Sequence, residues 1–182
     1  MLGSSFLSEV DRRLEDLIGR VRLLEAQLSP SEINWKPADR NWTIGQIFEH
    51  LHLSTAVYVD AIDKAVTAAP FGPDREVRFS FAGRMLVWGN DPRRNPPAPK
   101  SIEPPAKIYT VDVIESFVTD HSRAREIIPR CEGIDLGRTR IASPIAPVIK
   151  LNLADVFEVL CVHSDRHVGQ AEHITRREDF PR

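Results

Sequence analysis

Four stretches of this chain repeat apolar residues at steps of three and four, and its prolines fall between those stretches rather than inside them. A stripe of that period is apolar on one side of a helix only, so each stretch must bury its stripe against another. The first helix is expected from about Ser5 to Leu28, with Phe6, Val10, Leu14, Leu17, Ile18, Val21, Leu24 and Leu28 as its stripe. Ser29-Pro30 ends it, because proline disfavours the α conformation in the residue before it. After a connector carrying Trp35 and Trp42, Thr43 and Gln46 form a capping box that opens a second helix running to about Ala69. Its stripe is Ile44, Ile47, Phe48, Leu51, Thr55, Tyr58 and Ile62. A third begins near Thr110 and presents Ile114, Phe117, Val118, His121 and Ile128 before stopping at or before Pro129. The last is capped by Asn152 with Asp155 and carries Leu153, Val156, Phe157, Leu160, Ser164, Ala171 and Ile174.

Six of the fourteen prolines lie between Pro92 and Pro105, inside a long break at residues 70–108. A loop of this length in a compact domain points to a function. Phe79, Phe81, Met85, Leu86 and Trp88 suit a short packed turn or helix within it, and Asn95 to Pro105 should be extended and stiff. The whole reads as a cover strapped over one end of the domain. Strand-like alternation is weak throughout. The expected fold is all-α, a four-helix bundle in one domain over residues 1–182.

Composition narrows the partners. A net charge of −2 gives no electrostatic case for nucleic acid or an anionic membrane, and Arg93-Arg94 and Arg176-Arg177 read as solvated surface. No apolar run approaches the roughly 18–20 residues that span a bilayer, and the first residues lack the pattern of a secretory signal. Cys131 and Cys161 are too few for a disulfide scaffold, so a reducing, cytoplasmic setting is the expectation; a small-molecule substrate is a separate expectation. The Asn41-Trp42-Thr43 sequon then has no use. Nucleophile-elbow, P-loop and dinucleotide-binding signatures are absent from the sequence.

The six histidines carry what chemistry the sequence shows. At about 100° per residue, with Leu160 at the centre of the buried face, His163 lies roughly 60° and His167 roughly 20° to the same side. Both point inward, one turn apart, a spacing that lets two imidazoles meet one metal ion. The plainer alternative is a pair of hydrogen-bonded core histidines. In the second helix His50 and His52 flank the stripe on opposite sides, and periodicity does not choose between them. His121 falls within the third stripe; His173 points outward. The segment His163-Ser164-Asp165-Arg166-His167 lacks the glutamate of an HExxH protease, so no general base is supplied within it.

The segments Ser31-Glu32-Ile33-Asn34-Trp35-Lys36-Pro37 and Trp42-Thr43-Ile44-Gly45-Gln46-Ile47-Phe48-Glu49-His50-Leu51 resemble the start of a DinB-like domain. His163, His167 and Gln170, followed by Ile174, resemble the second signature of that superfamily, and the order of elements matches along nearly the whole chain. The resemblance implies a four-helix bundle with a metal held by His50, His163 and His167. It also implies His50 rather than His52 as the ligand from the second helix. Three protein nitrogens leave positions open for water or substrate, and zinc or nickel suits imidazole. Gln170 is a candidate for orienting a ligand ring, and His52 and His121 for carrying protons.

Known activities of the superfamily imply a metal-dependent transferase or isomerase using a low-molecular-weight thiol, or a hydrolase; a homodimer is a further implication. Against these stands a non-catalytic module, a small-ligand binder or a stress-related protein whose metal staples the bundle.

Overall fold

The computed structural model describes residues 1–37, 41–91, 93–94 and 97–181. Among the described residues six α-helices carry the fold: α1 (Gly3–Glu25), α2 (Pro30–Ile33), α3 (Ile44–Ala68), α4 (Phe81–Gly89), α5 (Asp112–Ile127) and α6 (Leu153–Thr175). The bundle consists of α1, α3, α5 and α6. Within it α1 and α3 each pack against both α5 and α6.

Ion pairs fix the directions. Asp11 and Arg22 of α1 meet Arg125 and Glu115 of α5, so those helices are antiparallel. Arg13 and Arg20 of α1 meet Glu158 and Glu172 of α6, so those two run parallel. Between α3 and α5, Phe48 packs on Phe117 and Asp60 accepts from Arg123, which makes them parallel. A parallel pair of consecutive helices obliges the chain to travel back along the bundle, a distance of about 37 Å for a helix of 25 residues. The long break in the apolar pattern is that return path.

The break therefore differs from a cover over one end. Its first part lies beside the N-terminus, where Gly3 N–H donates to Arg75 O and Val77 N–H to Met1 O. Next, α4 packs on α6. A 3₁₀ turn at Lys100–Ile102 lies against α3, and Tyr109 reaches the first turn of that helix. Asn95 and Pro96, where the stiff extended piece is expected to begin, lie outside the described residues.

Three local differences from the sequence reading have plain causes. α1 ends at Glu25, and Ser29-Pro30 opens α2 instead of closing α1. Ser29 accepts from Glu32 N–H while the Glu32 carboxylate accepts from Ser29 N–H, with proline at the first position where its missing N–H costs nothing. A 3₁₀ turn, Ile128–Cys131, carries the chain through Pro129. The connector before α6 holds β1 (Arg140–Ala142), paired antiparallel to β2 (Lys150–Asn152) with Ile141 opposite Leu151. Strands of three residues are too short to show alternation.

The capping boxes expected at Thr43–Gln46 and Asn152–Asp155 are both formed. The second does more than close a helix. Asp155, fully buried, accepts from Asn152 N–H at 2.8 Å and from Ser80 N–H at 2.9 Å, and Asn152 Nδ2 donates to Arg78 O. Together they tie the start of α4 to the start of α6.

At the other end, Gly45 lets Tyr109 lie on α3: a Cβ there would sit 2.6 Å from Tyr109 Cβ. Asn34 holds Tyr109 in place by accepting from its N–H and donating to its carbonyl, each at 2.8 Å. Gly45→Ala must displace a doubly tethered residue, and is expected to lower stability by about 1–3 kcal/mol, the usual range for overpacking. A urea midpoint unchanged from the parent would contradict this contact.

Candidate metal centre

His50 sits in the second turn of α3, and His163 and His167 sit one turn apart in α6 on the face turned to α3. One nitrogen from each ring lies within 4.8 Å of the other two, and among the described residues this is the group of three that could hold a metal ion. His50 Nε2 and His163 Nε2 are 3.1 Å apart. Two imidazole nitrogens bound to one tetrahedral ion at about 2.0–2.1 Å would stand roughly 3.3 Å apart, close to the spacing of this pair.

The outer ring atoms show how the rings are turned. His50 Nδ1 lies 2.8 Å from the carbonyl oxygen of Ile102. A carbonyl only accepts, so Nδ1 carries the proton and Nε2 presents its lone pair inward. His167 Nδ1 lies 3.0 Å from Gln170 Oε1, which fixes the same tautomer. The Trp42 ring closes one side, 4.8 Å from the His50 ring and 6.1 Å from that of His167. Burial holds the pKa of all three histidines below the ordinary imidazole value, with further lowering from neighbouring histidines at His163 and His167 and from the Arg166 charge at all three. Neutral rings are the form in which imidazole binds metal.

The structure brings together His50, His163, His167 and Gln170, and leaves His52 and His121 out of the cluster. His52 turns toward α5, where its Nδ1–H donates to Asp120 Oδ2 at 2.7 Å. His121 is fully buried, stacked on Phe117, donating from Nδ1 to Phe117 O and accepting at Nε2 from Ser164 Oγ. Both ring nitrogens of His121 are thus engaged in the core. Two participants escape a sequence reading. Ile102 acts through its backbone, for which side-chain identity gives no signal. Trp42 walls the cluster; the one hint in the sequence is its place just before the N-cap of the helix that carries His50.

Beside His163 opens a cavity of about 210 Å³ between α3, α4, α6 and the two long connectors. Leu86 and Ile102 from the 70–108 segment form part of its wall, with Ile149 and Leu160 from the C-terminal third of the chain.

The buried histidines set a pH response. Burial pushes His121 down to about 4. The folded form therefore stays neutral while the unfolded chain takes up a proton below about 6.5, so stability falls as pH drops from 6.5 to about 4 and then levels. His121 alone accounts for about 3 kcal/mol across that window; metal-free protein adds His50, His163 and His167 in the same sense. Asp120, whose carboxyl burial pushes up, acts in the opposite sense. Urea midpoints of chelated protein measured from pH 8 to 4.5 are expected to fall steadily below pH 6.5, and a flat profile would contradict the neutral buried rings.

No curated protein sequence matches the chain. Its fold is similar to that of YfiT from Bacillus subtilis, described as a probable metal-dependent hydrolase with an unusual four-helix bundle topology. The TM-score is 0.61 at 15% identity, over 96% of this chain and 89% of that one. At that identity the likeness speaks for the fold. The sequence model of the DinB superfamily matches residues 13–171. This chain belongs to the DinB superfamily.

Proposed function

We propose that this protein is a divalent-metal-dependent enzyme acting on a small molecule, with His50, His163 and His167 as its metal ligands, and that its reaction is hydrolytic. The observation that carries this reading is the convergence of three imidazole nitrogens, two of them with their tautomer set by an acceptor on the far ring atom. Buried histidines serving only the core find their partners as His121 does. Here three neutral rings turn nitrogens toward one another, an arrangement that a shared cation satisfies. When bound, a divalent ion with an open position supplies Lewis acidity and lowers the pKa of a water to near 7.

The chain's own residues do the rest. Ile102 O and Gln170 Oε1 hold two rings in the ligating tautomer, and hydrogen bonds of this kind raise ligand basicity. Trp42 packs against the His50 and His167 rings, and the cavity wall beside His163 is largely apolar. Zinc and nickel are the ions that best suit three imidazoles.

A thiol-dependent transferase is the competing chemistry. Low-molecular-weight thiols of cells carry charged groups, and among the described residues no charged side chain lines the cavity. Arg93 is paired with Asp91, Arg94 lies over the Trp88 ring at 3.3 Å, and neither they nor Arg84 line the cavity. This favours hydrolysis. Zinc- and nickel-loaded protein is to be assayed against neutral aryl esters, and separately against aryl halides with added thiols. Ester turnover that disappears on chelation is expected; turnover only when thiol is present would replace hydrolysis with transfer.

A further inference from the structure

The cavity beside His163 carries information about what would enter it. Among the described residues, no aspartate, glutamate, lysine or arginine lines it. Leu86, Ile102, Ile149 and Val156 make it predominantly apolar. With no metal bound, a charged ligand would lose its hydration there and meet no charged side chain in the cavity wall, which is costly in an apolar site.

Its polar groups differ in how they are used. The Tyr58 and Ser143 hydroxyls lie 2.7 Å apart and bond each other, and Ser143 Oγ also accepts from Ala146 N–H. Burial raises the Tyr58 pKa, so the phenol is neutral. Thr55 stands apart. It is 1% exposed, lines the same cavity, and its hydroxyl is the buried side-chain polar atom without a hydrogen-bond partner among the described residues. A helical threonine commonly bonds the carbonyl one turn back. For Thr55 that is the carbonyl of Leu51, which instead receives the hydroxyl of Ser54. A buried hydroxyl left unmet in a protein that is otherwise well satisfied marks a position where a ligand can complete the bonding.

Size sets the last limit. A cavity of about 150 Å³ accepts benzene, so 210 Å³ has room for a substituted six-membered ring or a short branched chain.

We propose that the cavity is the substrate pocket of this protein, taking an uncharged, largely apolar molecule the size of a substituted six-membered ring, whose polar group bonds the Thr55 hydroxyl. The identity of the reacting end, at His163, rests on the hydrolytic reading above; the pocket's selectivity does not.

The test uses three probes of one shape, benzyl alcohol, benzylammonium and benzoate, titrated against the full chain by ligand-detected NMR, as purified and after chelation. In chelated protein benzyl alcohol is expected to bind at least tenfold more tightly than either ion, a difference of about 1.4 kcal/mol. Thr55→Val keeps the volume and removes the hydroxyl; it should weaken benzyl alcohol about tenfold while raising the melting temperature, since an unmet buried hydroxyl is gone. Thr55→Ser should restore binding. Equal binding of the ions, no binding of benzyl alcohol, or undiminished binding by Thr55→Val overturns the proposal. Because these comparisons are read without metal, they separate from the hydrolytic reading. Protein that binds benzyl alcohol as expected yet retains no metal would leave the pocket standing and the hydrolase fallen.

Discussion

Asp155→Ala is expected to destabilise the protein by about 3–5 kcal/mol, the largest effect of any single polar substitution in the bundle, because it strands two N–H donors at about 1–3 kcal/mol each and removes half of a capping box. The carboxylate accepts from Asn152 N–H and Ser80 N–H from full burial, so water cannot replace it at either donor without opening the junction of α4 and α6. The same group explains Gly83. A Cβ at that position would lie 2.1 Å from Asp155 Oδ1, which no rotamer of a doubly bonded carboxylate relieves. Gly83→Ala should therefore be severe in the parent and less severe once Asp155 is already alanine, whose Cβ would still stand 2.8 Å from the new methyl group. In a double-mutant cycle by urea unfolding, that coupling appears as a sum of single effects well above the double effect. Additive effects would show that α4 does not rest on the carboxylate.

The second large effect concerns the cluster. With the metal removed by chelation, or its site dismantled by His163→Ala/His167→Ala, ester turnover by loaded protein is expected to drop at least ~10³-fold, the equivalent of about 4 kcal/mol of transition-state stabilisation. Stability near pH 7.5 should change far less. The three rings stand at one side of a core that continues through Phe48, Phe117, Phe157, Leu14 and Ile62 without them. A module stapled by its metal behaves in the reverse way, losing the fold when the ion leaves. A single Gln170→Ala change tests the same site more gently: without an acceptor on Nδ1, His167 loses its fixed tautomer, and metal affinity should fall about 10–100-fold. Unfolding on chelation, with activity tracking only the folded fraction, would favour the staple.

Much of the bundle is legible in the amino-acid sequence. The stripes of α1, α3, α5 and α6 are long and strongly periodic, and the polar pairs Thr43/Gln46 and Asn152/Asp155 mark helix starts because backbone N–H groups there need acceptors. The inward pair His163 and His167 follows from one helical turn of spacing. Its completion by His50 comes only through family resemblance, since a helical wheel places His50 and His52 symmetrically about Leu51. What breaks that symmetry is tertiary: one side of α3 faces α6, the other faces Asp120 of α5. Helix directions are likewise invisible, because a stripe does not say which way its neighbour runs. The parallel α3 and α5 turn an apparent cover into a return path along the bundle. That path supplies Ile102 O to His50, a backbone contact that no residue type announces. Ser29-Pro30 shows the reverse problem, a sequence signal with two meanings, since proline both follows helix ends and opens them.

The central claim is a metal held by His50, His163 and His167, and metal content tests it most directly. Tag-free protein, purified without chelator and analysed by plasma mass spectrometry, should carry close to one equivalent of a divalent ion per chain. The folded His163→Ala/His167→Ala variant prepared alongside should carry none. Parent protein that holds no ion, even after incubation with zinc, nickel and manganese, would contradict the account.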